Sequence, residues 1–149
     1  MQNIIFASVT ELARAIRSRQ VSSVEVLKAH LDRIEALNPK LNAVVQLSAQ
    51  AALKEASKAD QALAQNEPKG SLCGVPMTIK DSFDTAGVVS TWGTQGRVNT
   101  IPDRDATVVA RLKAAGAILM GKTNTPELTL SYETDNLIYG RTSLSLQLR

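Results

Sequence analysis

The chain has 149 residues, 44% of them apolar and 21% charged, the balance of an ordinary soluble globular protein and a length suited to one domain. Its net charge of +3 is spread evenly, nine basic and seven acidic groups before Pro76 and eight and seven from there on. With aromatics at 3%, this is not the clustered basic, aromatic-rich surface that binds nucleic acid. Cys73 and His30 each occur once, so no intramolecular disulfide is possible and no Cys/His zinc set of about four ligands exists. The opening "MQNIIFASVT" has no basic start and only a short apolar run, unlike a signal peptide. No stretch approaches the ~18 apolar residues of a membrane span. A cytoplasmic protein is expected, and a lone cysteine suits a reducing compartment.

In chain order, "SVTE" at Ser8–Glu11 is a capping-box pattern that starts a helix. A second box, "SSVE" at Ser22–Glu25, leads into Leu27, Leu31, Ile34 and Leu37, one face of an amphipathic helix. Asn38-Pro39 is expected to end that helix, because the residue before proline is pushed out of the helical region. His30 lies beside the apolar stripe and reads as a structural or solvated residue. "NAVVQL" (42–47) predicts a strand, the Ala/Leu/Lys/Glu/Gln-rich run 49–65 a helix, and "NEPKGS" (66–71) a loop.

A strand is predicted over 75–80, followed by glycine-broken loops, "DTAG" and "STWGTQG", long enough to carry function. "DATVVARLKAAG" reads as a helix beginning at Asp105 and stopped by Gly116. "AILMGK" (117–122) reads as an apolar strand buried on both faces. "TNTPEL" offers Thr125 as cap and Pro126 at the first position of a further helix. Strand, helix and strand in this order make a βαβ signal. The expected class is α/β, with N-terminal helices followed by part of a mixed β-sheet flanked by helices.

Several chemistries find no support. No GxxxxGK[ST] loop occurs; Lys122 follows Gly121 but has no phosphate loop before it. A Ser-His-Asp triad would need His30, and there is no G-x-S-x-G elbow. Cys73 reads as a small buried hydrophobe. Asp103, Arg104 and Asp105 read as capping and solvation, and Glu127, Glu133 and Asp135 do not form a convincing paired-carboxylate site. Lys80 stands out, because the carboxyl end of a buried strand is where α/β folds gather reactive groups. A lysine desolvated there can act as base toward a serine hydroxyl. Pattern alone also allows a plain surface lysine paired with Asp81.

Three segments, "GVPMTIKDSFDTAG", "DATVVARLKAAGAILMGKTNTPEL" and "SYETDNLIYGRT", together resemble the amidase signature family of serine hydrolases in order and spacing. The likeness runs from the first helix to about Thr142, and "TNTPEL" is worded more like the general amidases than the aminoacyl-tRNA amidotransferases. The resemblance implies hydrolysis of the C–N bond of a small-molecule amide through a serine acyl-enzyme, with neither metal nor organic cofactor. It implies that Lys80 is the general base of a Ser–cis-Ser–Lys triad. Ser131 follows an element that the family places near its active site, and it is the candidate for substrate contact.

The family's serines lie in a Gly/Ser-rich segment after "GRTNNP". This chain reads "GRT" and then "SLSLQLR", with no Gly-Gly-Ser-Ser. Residues 1–142 are therefore expected to be the N-terminal part of an amidase domain and 143–149 a divergent tail, as from a frameshift. The chain is expected to be inactive alone. The alternatives are a hydrolase using another serine (Ser82, Ser90 or Ser131) and a non-catalytic module that binds a complementary fragment.

Overall fold

The structure, a computed structural model, describes residues 4–143. The alternating Leu144, Leu146 and Leu148, which read as a strand pattern, lie outside the described residues. The elements are α1 (Val9–Arg17), α2 (Ser23–Leu41), β1 (Val44–Leu47), α3 (Ala49–Ala64), β2 (Pro76–Lys80), α4 (Thr107–Ala114) and β3 (Ile118–Thr123). Short 3₁₀ turns stand at Ile4–Phe6, Gln95–Arg97 and Glu127–Thr129. The α/β class is as expected. The strands are ordered β1-β3-β2. β1 runs antiparallel to β3, whereas Ile118 N–H donates to Val75 O and Asp81 N–H to Thr123 O. Those two bonds advance together along both strands, so β2 and β3 are parallel and the sheet is mixed. No helix among the described residues is long and apolar enough to cross a membrane.

The chain divides into two compact units. The first comprises Met1–Ile34, Ser48–Met77 and Arg111–Met120. Both predicted capping boxes are present in it. Ser8 and Glu11 exchange side-chain and backbone bonds at the start of α1. Glu25 Oε2 accepts from Ser22 N–H at 2.8 Å while Ser22 Oγ accepts from Glu25 N–H at 3.1 Å. Asp60, from α3, adds a cap that the sequence pattern did not announce, accepting from Ser23 N–H at 2.7 Å and Val24 N–H at 3.1 Å. One apolar cluster gathers Leu12, Ile16, Val26, Leu63, Cys73 and Val75; Cys73 is buried, as its reading as a small hydrophobe predicts. A second gathers Leu27, Ala52, Ala56, Ile118 and Met120. Each fully buried aliphatic side chain contributes roughly 1.5–3 kcal/mol relative to exposure. Gly116 ends α4 in the left-handed region at φ +92, and a Cβ there would lie 2.2 Å from Lys69 O.

The second unit comprises Glu35–Leu47, Thr78–Ala110 and Gly121–Arg149. Three expectations are corrected in it. Helix α2 does not stop at Asn38-Pro39 but runs through Pro39 to Leu41. The φ fixed by proline is compatible with a helix, and Asn38 Oδ1 fastens the exit by accepting from Ala43 and Val44 N–H. The chain then turns at Asn42 with φ +51. "TNTPEL" forms a 3₁₀ turn, not an α-helix, because Leu128 and Thr129 adopt φ of +48 and +64. Thr125 caps nothing; its hydroxyl donates to Pro126 O at 3.2 Å. Finally, α4 starts at Thr107, since Asp105 Oδ1 accepts from Ala86 N–H at 2.8 Å. Asp103 and Arg104 are solvated, 91% and 90% exposed.

Candidate functional site

The candidate site belongs to the second unit and starts from Lys80, the last residue of β2, and Asp81, the first residue of the turn that follows. Successive side chains of an extended strand point to opposite faces, and the burial alternates accordingly: Ile79 and Asp81 are buried while Lys80 is half-exposed. Asp81 therefore turns away from Lys80, and the sequence-level pairing of the two is corrected. Asp81 Oδ2 accepts from Thr91 N–H at 3.0 Å and from Thr91 Oγ1 at 2.5 Å. Lys80 has no hydrogen-bonded or ion-paired side-chain partner among the described residues.

Lys122 answers Asp81 from the central strand. It is completely buried, its Nζ 3.6 Å from Asp81 Oδ1, an oxygen that accepts no hydrogen bond. The ammonium donates to Phe83 O and to Ser90 Oγ, both at 2.7 Å. Burial pushes the Lys122 ammonium below the ordinary lysine range, and the Asp81 carboxylate opposes that shift. Gly121 lets β1 approach at this point, since a Cβ on it would lie 2.5 Å from Gln46 O.

Ser90 is fully committed. It accepts from Lys122 and from Thr85 N–H at 3.3 Å, and it donates to Val88 O at 3.1 Å. With both lone pairs and its proton used, and at 0% exposure, it has no capacity to act as a nucleophile. Around it the loop is braced by Asp84, whose Oδ1 accepts from Trp92 Nε1 and Arg97 Nη2, each at 2.9 Å. The Arg97 guanidinium lies 3.8 Å from the centre of the Trp92 ring, a cation–π contact.

Ser131 is exposed and its Oγ accepts from Glu133 N–H at 3.4 Å. It makes no hydrogen bond to Lys80. Glu133 pairs with Arg141 rather than with another carboxylate. Asn124 and Asn136 stitch the following segment: Asn136 Nδ2 donates to Asn124 Oδ1 and Thr125 O, both at 2.8 Å. Asn124 Nδ2 donates to Gly140 O and Thr142 Oγ1, both at 3.0 Å. Among the described residues no three His, Cys, Asp or Glu side chains converge to hold a metal ion. In the first unit, a recess of about 250 Å³ is edged by Arg19, Glu25 and Asp60. Their polar groups are already engaged, Arg19 with Leu63 O and Asn66 Oδ1 and the two acids in the caps of α2.

Sequence reasoning set Lys122 aside as a phosphate-loop lysine without its loop. The signal that could have found it is a cation inside a strand otherwise buried on both faces, which needs a buried partner. Ser90 and Thr91 carried no such mark.

The family profile described as Amidase matches residues 25–149. The chain is 42% identical over 133 residues to the A subunit of glutamyl-tRNA(Gln) amidotransferase from Carboxydothermus hydrogenoformans, covering 89% of this chain and 27% of that one. It is 40% identical over 147 residues to human fatty-acid amide hydrolase 2, covering 94% and 28%. Among solved structures, a peptide amidase from Stenotrophomonas maltophilia superposes with a TM-score of 0.84 at 32% identity, over 93% of this chain and 30% of that one. The chain thus spans less than a third of the length of these relatives. The similar identities to an amidotransferase and to a hydrolase do not separate the two groups as "TNTPEL" alone had suggested. The chain belongs to the Amidase family.

Proposed function

We propose that residues 1–142 are the base-bearing N-terminal portion of an enzyme that hydrolyses the C–N bond of a small-molecule amide, with Lys80 as general base. One observation carries this reading: a half-buried lysine at the carboxyl end of β2 has no side-chain partner among the described residues, although Asp81 stands next to it. In the proposed reaction this amine takes a proton. In the complete enzyme that proton comes, through a bridging serine, from the nucleophilic serine, whose oxygen bonds to the amide carbon. The leaving amine takes a proton as the C–N bond breaks, and water then cleaves the acyl-enzyme to the acid. Ser131, with its exposed hydroxyl, is the proposed substrate contact.

No Gly-Gly-Ser-Ser segment occurs in the 149 residues, and Ser90 is saturated, so the chain alone is proposed to be inactive. A fluorophosphonate should leave no serine adduct detectable by mass spectrometry; an adduct that disappears in Lys80→Ala would overturn the inactivity. The base is tested in a chimera joining residues 1–142 to the remainder of the indoleacetamide hydrolase of Bradyrhizobium diazoefficiens, which is 46% identical over 135 residues. Lys80→Ala should lower kcat on indoleacetamide by about 10²-fold or more, and unchanged turnover would refute the role. Ser131→Ala should raise KM at constant kcat.

A second reading, a non-catalytic module that binds a complementary fragment, is favoured by large apolar side chains left exposed, Leu130 at 83% and Leu137 at 82%. Co-elution of the chain with the separately expressed remainder of that hydrolase would support it; separate elution at micromolar concentrations would not.

A further inference from the structure

Lys122 has no part in the general-base reading, yet a fully buried ammonium demands a reason. Three groups surround it: Phe83 O and Ser90 Oγ, each at 2.7 Å, and Asp81 Oδ1 at 3.6 Å. Asp84 and Arg97 are the further charges acting on it. Asp81 is the residue next to Lys80. Its carboxylate is held by Thr91 on one oxygen and has only the Lys122 charge opposite the other. An uncompensated buried carboxylate is strongly disfavoured. The inward orientation of Asp81 therefore depends on Lys122. Although β2 ends at Lys80, Asp81 N–H continues its pairing with β3 by donating to Thr123 O at 2.8 Å. Along such a ladder, fixing one side chain to one face sets its neighbour on the other, so the outward orientation of Lys80 depends on Lys122 as well.

We propose that Lys122 is a positioning residue for Lys80, acting through Asp81: the buried Lys122–Asp81 pair holds the end of β2 so that the Lys80 amine projects from the opposite face with a balanced charge behind it. The proposal rests on the reading of Lys80 as a base, but its test does not require turnover. Ser90 serves the same clamp, tying Lys122 to the loop that carries Thr91.

The test measures the pH dependence of Lys80 acylation in the intact chain. Brief pulses of acetic anhydride are followed by mass spectrometry, with exposed Lys28 as internal reference. In Lys122→Met the Asp81 carboxylate loses its counter-charge and favours the protonated form of Lys80. The Lys80 midpoint should rise by about half a unit, a roughly threefold fall in rate below the midpoint. Adding Asp81→Asn removes the carboxylate too, so no net charge is left behind Lys80 and the midpoint should return to its starting value. That restoration separates positioning by charge from mere loss of packing, which would move both variants the same way. An unchanged midpoint in Lys122→Met, or equal shifts in the two variants, overturns the proposal. If Lys122→Met does not fold, the double variant decides: a starting-value midpoint supports the proposal and a displaced midpoint overturns it. If neither variant melts cooperatively, Lys122 is a determinant of the fold and the positioning role is overturned. In the chimera, intact turnover in Lys80→Ala together with the expected midpoint shifts would sink the base and keep the clamp. Lost turnover without the shifts would do the reverse.

Discussion

At the scale of single residues, similar side chains meet opposite fates. Lys80 and Lys122 both sit near the carboxyl ends of parallel strands. Among the described residues, one amine is left without a side-chain partner while the other is sealed among a carbonyl, a hydroxyl and a carboxylate. Lys80 was legible because it ends an apolar run beside glycine-rich loops. Lys122 was not, because its partners lie 32 and 39 residues away in sequence and no local pattern names them. His30, read from the sequence as a structural or solvated residue, is half-buried in α2, and burial pulls its pKa below the ordinary histidine value. The unfolded chain, near pKa 6.5, then binds more protons than the folded one. Stability tied to neutral His30 is thus complete above about pH 6.5 and is lost as pH falls from there toward the folded pKa. Tm should decline between pH 7.5 and 5.5, and His30→Gln should flatten that slope; an equal slope in the variant would refute the assignment. The capping carboxylates Glu11 and Glu25 have lowered pKa values. They lose their contribution only below pH 4.5, outside this window.

At the scale of elements, the sequence is most informative where one short pattern contains all the partners. Each capping box spans four residues, and both form as read. Ser22→Ala should cost about 1 kcal/mol, visible as a lower urea midpoint at unchanged m; no loss would mean that Asp60 suffices to cap α2. The strands 44–47, 76–80 and 118–123 also match their apolar runs. The misreadings share one cause, a remote or backbone-level partner overriding a local rule. Pro39 stays helical because Asn38 secures the exit, and Asp105 leaves its helix to hold Ala86. The left-handed Leu128 and Thr129 are invisible to propensity, which favours glycine or asparagine at such positions. Leu128 N–H donates to Trp92 O at 2.8 Å, a bond between segments 36 positions apart in the sequence.

For the molecule as a whole, family membership was readable from three segments in fixed order, a signal that no single element carries. The buried polar network was not readable, because it is assembled from β2, β3 and the loop between them, and only folding brings these together. Its closure has a consequence for how this protein exchanges with water. The Lys122 ammonium has 0% side-chain exposure and holds two hydrogen bonds of 2.7 Å, so its protons can leave only when the 83–91 loop lifts. In a ¹⁵N-lysine-labelled sample this amine should give a persistent, slowly exchanging signal while surface lysines vanish into the solvent resonance. Its exchange rate would then serve as a clock for the opening of the loop.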